Sequence, residues 1–185
     1  KSNVSSISFS INNEADFKVE NIQYGEYTKF SVINKWSKDQ TAKLLGLTED
    51  YQIQLPGKIN VYNALAVLAT LRTLGFQPET ISLDLLSYKG VKRRFEFVGK
   101  KNGIAVIDDY AHHPTAVRET LEAARLKYPD KRIWAIFEPH TFSRTKATLS
   151  DLAKAFDAAD KILISEIYPA REKVSGAAIS SKEVI

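Results

Sequence analysis

The sequence predicts an α/β protein in two parts, a β-rich first part and a second part built on an open, mostly parallel sheet. In the first part Ile7, Phe9 and Ile11 alternate with polar residues, and Phe17, Val19, Phe30 and Val32 keep the same period of two. That period fits antiparallel strands with one buried face. Beyond residue 103 the pattern changes to continuous apolar runs at 104–107, 133–137 and 162–164, as expected of parallel strands covered on both faces. Helical stripes lie between these runs, so the order is β-α-β-α-β with short connections.

Asn12-Asn13 and Tyr24-Gly25-Glu26 supply turns between the early strands. Residues 36–47 read as an irregular connection, and Tyr51, Ile53 and Leu55 as a further strand closed by Pro56-Gly57. A helix is expected from Asn60 or Asn63 to about Leu74, stopped by Gly75. Its Ala64-Leu65-Ala66-Val67-Leu68-Ala69 core is apolar nearly all round, which predicts deep packing. Pro78 opens a second helix reaching about Leu86. The domain boundary is expected at Gly99-Lys100-Lys101-Asn102-Gly103, giving parts 1–98 and 104–185 with a hinge at 99–103. After it, Pro114 opens a helix with Val117, Leu121, Ala124 and Tyr128 on one stripe. A helix over about 145–159 carries Leu149, Leu152, Ala153, Phe156 and Ala159, and Ser180-Ser181 caps another. Three parallel strands make a half-sized domain, so the second part is expected to be truncated, and the chain to be excised from something longer.

Composition narrows the function. With 44% apolar and 26% charged residues the chain is an ordinary globular one. It has no cysteine, which excludes disulfides, thiolate nucleophiles and thiolate metal sites. No apolar run reaches the length of a membrane span and no signal-peptide pattern is present, so a cytoplasmic protein is expected. The net charge of +4 comes from scattered lysines and one cluster, Lys89-Gly90-Val91-Lys92-Arg93-Arg94. Without interleaved aromatics that cluster is a poor nucleic-acid footprint, and a phosphate-rich small molecule or solvent suits it better.

In open α/β sheets ligands bind beyond the carboxyl ends of the strands. All three histidines of the chain are expected there: Asp108-Asp109-Tyr110-Ala111-His112-His113 ends the first run, and Glu138-Pro139-His140, followed by Arg144, ends the second. Glu166-Ile167-Tyr168, followed by Arg171, ends the third. Each residue also has a structural reading. Asp109 or His113 can cap the helix that Pro114 opens, His112 can fill a polar pocket, His140 can satisfy the next helix's first amides, and Arg144 can be solvated. A zinc hydrolase is disfavoured because adjacent His112 and His113 do not both turn onto one ion and no H-x-x-x-H spacing occurs. No metal site is assigned to this chain. It also lacks G-x-S-x-G, G-x-x-x-x-G-K-[ST] and G-x-G-x-x-G. Residue pattern alone therefore predicts a ligand-binding α/β rim and does not name a reaction.

Five segments in order resemble the Mur ligase family: 55–64 (Leu55-Pro56-Gly57 through Asn63-Ala64), 90–96 (Gly90 through Arg94-Phe95-Glu96), 108–114, 139–145 and 166–172. The last two point more narrowly to the branch that joins L-alanine to UDP-N-acetylmuramate; the branch that attaches a preformed tripeptide is the alternative within the family. The resemblance implies that the first part is the β-rich remainder of a central ATPase domain, and that the second is a partial, Rossmann-like, amino-acid-binding domain. It implies ATP and Mg²⁺ as cofactors, with the metal ligands mainly outside this chain, and UDP-N-acetylmuramate and L-alanine as substrates. The N-terminal and phosphate-loop portions of the same enzyme become the missing partners. ATP would activate the muramyl carboxylate as an acyl phosphate, and the amine of L-alanine would attack it, releasing ADP and phosphate.

By the same resemblance Asn63 contacts adenine, Arg94 reaches the nucleotide, and Asp109 holds the ribose. Tyr110, His112, His140 and Arg144 surround the amino acid and the reacting phosphate. Arg94, His112, His140 and Arg144 are the candidate catalytic residues, with no single general base named. Ile59 stands where the family usually has a histidine that frames adenine, and Thr141-Phe142 stand where arginine and tyrosine are frequent. An isolated piece without the phosphate loop is expected to be inactive, and a non-catalytic binding module is the alternative from another class.

Overall fold

The structure is a computed structural model that describes residues 6–36, 46–172 and 179–184. The chain divides into two compact units, Lys1–Lys89 and Gly90–Ile185.

In the first unit the period-two segments form a four-stranded sheet of order β1-β2-β3-β4, comprising β1 (Phe9–Ser10), β2 (Phe17–Gln23), β3 (Thr28–Asn34) and β4 (Leu47–Ile53). The antiparallel expectation holds for β2-β3 and β3-β4, whereas the short β1 pairs parallel to β2. Alternation sends Phe17 and Val19, then Phe30 and Val32, then Tyr51 and Ile53 to one buried face. Helix α1 (Lys58–Thr73) lays Val61, Ala64, Leu65, Leu68 and Ala69 onto that core, and Ile81 of α2 (Pro78–Ser87) completes it.

Helix α1 starts at Gly57 (φ 90°), before either expected asparagine. It stops as expected at Gly75, where φ is 94°. The Phe76 N–H donates to the Leu71 carbonyl and the Gly75 N–H to the Arg72 carbonyl, both at 3.1 Å, a Schellman closure that requires a left-handed residue. Deep packing all round does not hold: Ile59, Tyr62 and Val67 are exposed. A helix on one face of one sheet buries a single stripe, however apolar its other side. Of the expected irregular connection at 36–47, residues 37–45 lie outside the described residues, and Leu47 already belongs to β4.

One buried polar network spans this core. Glu49 accepts from the Tyr51 hydroxyl at 2.6 Å, from Asn34 Nδ2 at 3.2 Å, and from Arg72, whose Nη2 lies 2.8 Å away. Burial, and then the bond to Glu49, push the Tyr51 phenol far above its ordinary range.

In the second unit β5 (Glu96–Lys101) and β6 (Ile104–Asp108) form an antiparallel hairpin, while β7 (Trp134–Phe137) and β8 (Lys161–Ile164) pair in parallel. Helix α3 (Pro114–Lys127) contributes Val117 and Leu121, and the segment after β7 contributes Leu152, Ala155 and Phe156, to a core against Ala135 and Phe137. Asp160 ties the amino ends together: its carboxylate accepts from the Ile133 N–H at 2.6 Å and from Arg125 at 2.7 Å. Arg125 also donates to the Lys131 and Ala158 carbonyls.

Three expectations about this unit change. The boundary falls between Lys89 and Gly90, and the expected hinge at 99–103 is the end of β5 and its turn. Asn102 and Gly103 have φ values of 50° and 80° and join Lys101 to its partner Ile104. An Asn-Gly pair closing a two-residue hairpin needs that conformation. The three apolar runs are not one parallel sheet: among the described residues β6 pairs with β5 alone. The expected helix over 145–159 is α4 (Phe142–Ala147) and α5 (Leu149–Ala153), broken at Thr148. There the Thr148 hydroxyl donates to the Arg144 carbonyl at 2.9 Å, a local bond that competes with helix propagation. The cap expected at Ser180 is present, as a capping box with Glu183 on a single 3-10 turn, Ser181–Glu183.

Two outcomes test these packings. Arg72→Ala leaves the buried Glu49 carboxylate short of a cation and lowers stability by about 3 kcal/mol in urea unfolding; a loss below about 1 kcal/mol contradicts the network's role. The Ile133 N–H bond, and then Arg125, hold the Asp160 carboxyl below its usual range. A carboxyl lowered on folding stabilises the fold above its unfolded pKa of about 4 and loses that contribution as pH falls through the folded value. The stability gap between the protein and Asp160→Asn therefore shrinks as pH drops from 6 to below 4, and a pH-independent gap contradicts the assignment.

Candidate functional site

The carboxyl ends of β6 and β7 lead into the loops that carry the three histidines, and that of β8 into the loop that carries Tyr168 and Glu172. The described contacts there form two clusters.

The first is built by a tight turn ahead of β5. Arg93 and Phe95 both have left-handed φ, 58° and 48°, conformations costly for non-glycine residues. Neighbouring carboxylates hold them. The Arg93 N–H donates to Glu96 Oε2 at 2.7 Å, and the Phe95 N–H to Asp109 Oδ2 at 2.7 Å. The other oxygen of Asp109 accepts from the Ala111 N–H at 2.7 Å. The Tyr110 N–H donates to the Arg93 carbonyl at 2.8 Å, so turn and strand end are stitched twice. The Arg93 guanidinium lies 4.7 Å from the centre of the Tyr110 ring and that of Arg94 6.0 Å. Arg93 Nε is 3.7 Å from Asp108. The exposed Tyr110 ring thus carries two cations, an arrangement suited to an anionic ligand with a planar part.

His112 Nδ1 is 2.9 Å from the Tyr110 carbonyl and its ring meets the Tyr110 ring edge-on at 5.2 Å. A carbonyl only accepts, so in this bond Nδ1 carries the proton and Nε2 of the neutral ring is left as an acceptor. The cap of α3 is His113, whose Nδ1 accepts from the Thr115 N–H at 3.4 Å. Asp109 therefore does not cap α3; its structural work is on the turn.

The second cluster joins the loops after β7 and β8. His140 bridges Tyr168 in parallel fashion, and their rings lie 5.4 Å apart. The Thr141 N–H donates to the Tyr168 carbonyl at 3.1 Å, and the Tyr168 N–H to the Pro139 carbonyl at 2.9 Å. His140 Nδ1 is buried without a hydrogen-bond partner among the described residues, a state that costs roughly 1–3 kcal/mol. Arg144, on α4, is exposed. Asn63 is exposed on α1 of the first unit. Among the described residues no three His, Asp or Glu side chains converge as metal ligands would.

The comparisons decide the family. Residues 93–183 match the profile of the Mur ligase, glutamate ligase domain. The UDP-N-acetylmuramate–L-alanine ligase of Caldanaerobacter subterraneus is 46% identical over 97% of this chain and 37% of its own length. The chain belongs to the Mur ligase family. The like-named protein of Alkaliphilus metalliredigens is 44% identical over 92% of the chain and 35% of its own length. Among solved structures, the UDP-N-acetylmuramate–alanine ligase of Thermotoga maritima superposes with a TM-score of 0.71 at 28% identity, covering 88% of this chain and 34% of that one. A murein peptide ligase from Psychrobacter arcticus gives 0.54 at 33% identity, covering 85% and 32%. The chain thus spans about a third of the length of these Mur ligase relatives. Mixed parallel and antiparallel pairing, as seen here, is the fold level that these likenesses support.

Sequence reasoning missed two partners in this Mur ligase rim. Arg93 lies nearer the Tyr110 ring than Arg94 does, which only the left-handed turn reveals. Glu172 was visible inside a matched segment, but no spacing ties it to Ser143, twenty-nine residues away. Replacing Asp109 with Asn leaves one of its two backbone donors facing an amide NH₂. Amide hydrogen exchange at Phe95 or Ala111 is then expected to accelerate at least tenfold; unchanged exchange at both contradicts the stitching role.

Proposed function

We propose that the protein containing this chain is an ATP-dependent ligase that joins L-alanine to UDP-N-acetylmuramate for peptidoglycan synthesis. The supporting observation is the 46% identity, over nearly the whole chain, to a protein named for that reaction. ATP converts the muramyl carboxylate to an acyl phosphate; the amine of L-alanine attacks its carbonyl carbon, and phosphate leaves alongside the ADP already formed. The substrates place the reaction in the cytoplasm.

In this reading the first unit is the β-rich remainder of the central ATP-binding domain, and the second is the amino-acid-binding domain with a Rossmann-like plan. Asn63 contacts adenine and Arg94 reaches the nucleotide. Asp109 holds the ribose with oxygen lone pairs left over from its two backbone bonds. The second unit supplies Tyr110, His112, His140 and Arg144 to the alanine side. A guanidinium such as Arg144 suits the amino-acid carboxylate or the developing phosphoryl charge. His112, through Nε2, and His140 are the candidate groups to meet the amine. As the family resemblance implies, Mg²⁺ accompanies ATP, with its ligands mainly in the rest of the polypeptide.

Phosphate release by the full-length protein tests this. It is expected with UDP-N-acetylmuramate and L-alanine together, and to fall roughly 100-fold or more in Arg144→Ala. Release with a free tripeptide in place of L-alanine would move the assignment to the tripeptide-joining branch. No release with either supports a binding module. The 185-residue chain alone, which carries no G-x-x-x-x-G-K-[ST] motif, is expected to release none.

A further inference from the structure

Thr141 holds an unusual backbone conformation in the rim. Its φ of 68° and ψ of 149° fall in a region that glycine occupies readily and a β-branched residue does not. It stands between His140 and the helix that carries Arg144, so its conformation sets the direction in which both side chains leave the loop. Such a conformation persists only where surrounding bonds over-determine it.

Those bonds come from both sides. On the β7 side the Thr145 hydroxyl donates to the Thr141 carbonyl at 2.8 Å. From the loop after β8, the Tyr168 carbonyl holds the Thr141 N–H, and Glu172 grips Ser143 twice. One oxygen of Glu172 accepts from the Ser143 N–H at 3.1 Å and the other accepts a short bond from the Ser143 hydroxyl. The Ser143 hydroxyl, and then its N–H, hold the Glu172 carboxyl below its ordinary range, so at neutral pH it is the ionised, doubly accepting form that meets Ser143. Ala170, two residues before Glu172, is also left-handed, at φ 52°. Two strained loops are thus fastened to each other by the backbone bonds of Tyr168 and by one carboxylate.

We propose that Glu172 is a positioning residue of the amino-acid site: through Ser143 it latches the loop after β8 onto the start of α4 and keeps Thr141 in the conformation that presents His140 and Arg144 to the substrate. Glu172 itself touches no reacting atom. The inference rests on the ligase reading above, and its test separates the two.

In the full-length protein, Glu172→Ala is expected to raise the KM for L-alanine at least tenfold while the KM for ATP stays within about twofold of the parent. Ser143→Ala raises the alanine KM less, about threefold, and adds nothing on top of Glu172→Ala because both remove the same contact. Thr141→Gly lowers the alanine KM of Glu172→Ala back toward the parent value, since glycine holds that backbone conformation without a latch. Hydrogen exchange at the Ser143 amide speeds up in Glu172→Ala whether or not the reaction is the one proposed. If Glu172→Ala does not accumulate folded, Ser143→Ala carries the same test at its smaller amplitude. An active enzyme whose alanine KM is unmoved, whose two KM values rise together, or whose Thr141→Gly fails to rescue overturns the latch alone. Absence of alanine-dependent phosphate release in the parent protein, with fast Ser143 exchange in the variant, overturns the reaction and leaves the latch.

Discussion

Asp109 accepts two backbone N–H groups at 2.7 Å, one from Phe95 and one from Ala111, and the first cluster of the rim depends on that pair of bonds. Without them the left-handed φ of Phe95 loses its carboxylate support, and the turn that carries Arg93 and Arg94 keeps only the Tyr110 N–H bond to the Arg93 carbonyl as its stitch to the end of β6. A charged acceptor is suited to this task, because bonds from N–H groups to a carboxylate are roughly twice as strong as neutral ones. The two guanidiniums then lie over Tyr110 because the backbone beneath them has one arrangement available. Each carboxylate oxygen keeps a further lone pair, so a structural role for Asp109 and a role toward ribose hydroxyls are compatible in one side chain.

The second cluster repeats the device. There the left-handed residues are Thr141 and Ala170, and the carboxylate is Glu172, again accepting from a backbone N–H. At both places a non-glycine residue in a costly conformation stands next to a side chain proposed to face the substrate, and a carboxylate from a neighbouring loop secures it. Strain stored in this way fixes direction more sharply than a relaxed loop does, at the expense of stability supplied by the cores. Those cores are ordinary: a sheet face covered by one helix stripe in the first unit, and helices on Ala135 and Phe137 in the second.

The early strands were legible because one buried face leaves a period of two, as Phe17, Val19, Phe30 and Val32 show. Pro78, Pro114 and Gly75 marked helix ends through conformations available to few other residues. Asn102-Gly103 was equally legible as a hairpin turn, yet its polar neighbours read as a linker, which displaced the boundary from its place before Gly90. Strand pairing was not legible: apolar runs report burial and say nothing about which neighbour accepts their hydrogen bonds, so β6 was assigned to a parallel sheet and is found antiparallel to β5. In the candidate site, residue types and rim location were readable at Tyr110, His112, His140 and Arg144. The division of labour was not, because His113 rather than Asp109 caps α3, and because Glu172 and Ser143 meet only through the fold.

The loops leaving β6, β7 and β8 are the proposed ligand-binding face of this Mur ligase chain. Hydrogen–deuterium exchange of the full-length protein, with and without ATP and L-alanine, tests it most directly. Slowed exchange is expected in residues 93–95 and in the loops at 108–113, 139–144 and 165–172 on adding the ligands, with no change at the Asn102-Gly103 turn or around Asp160. Protection at the turn and at Asp160, with none at the three loops, would contradict it.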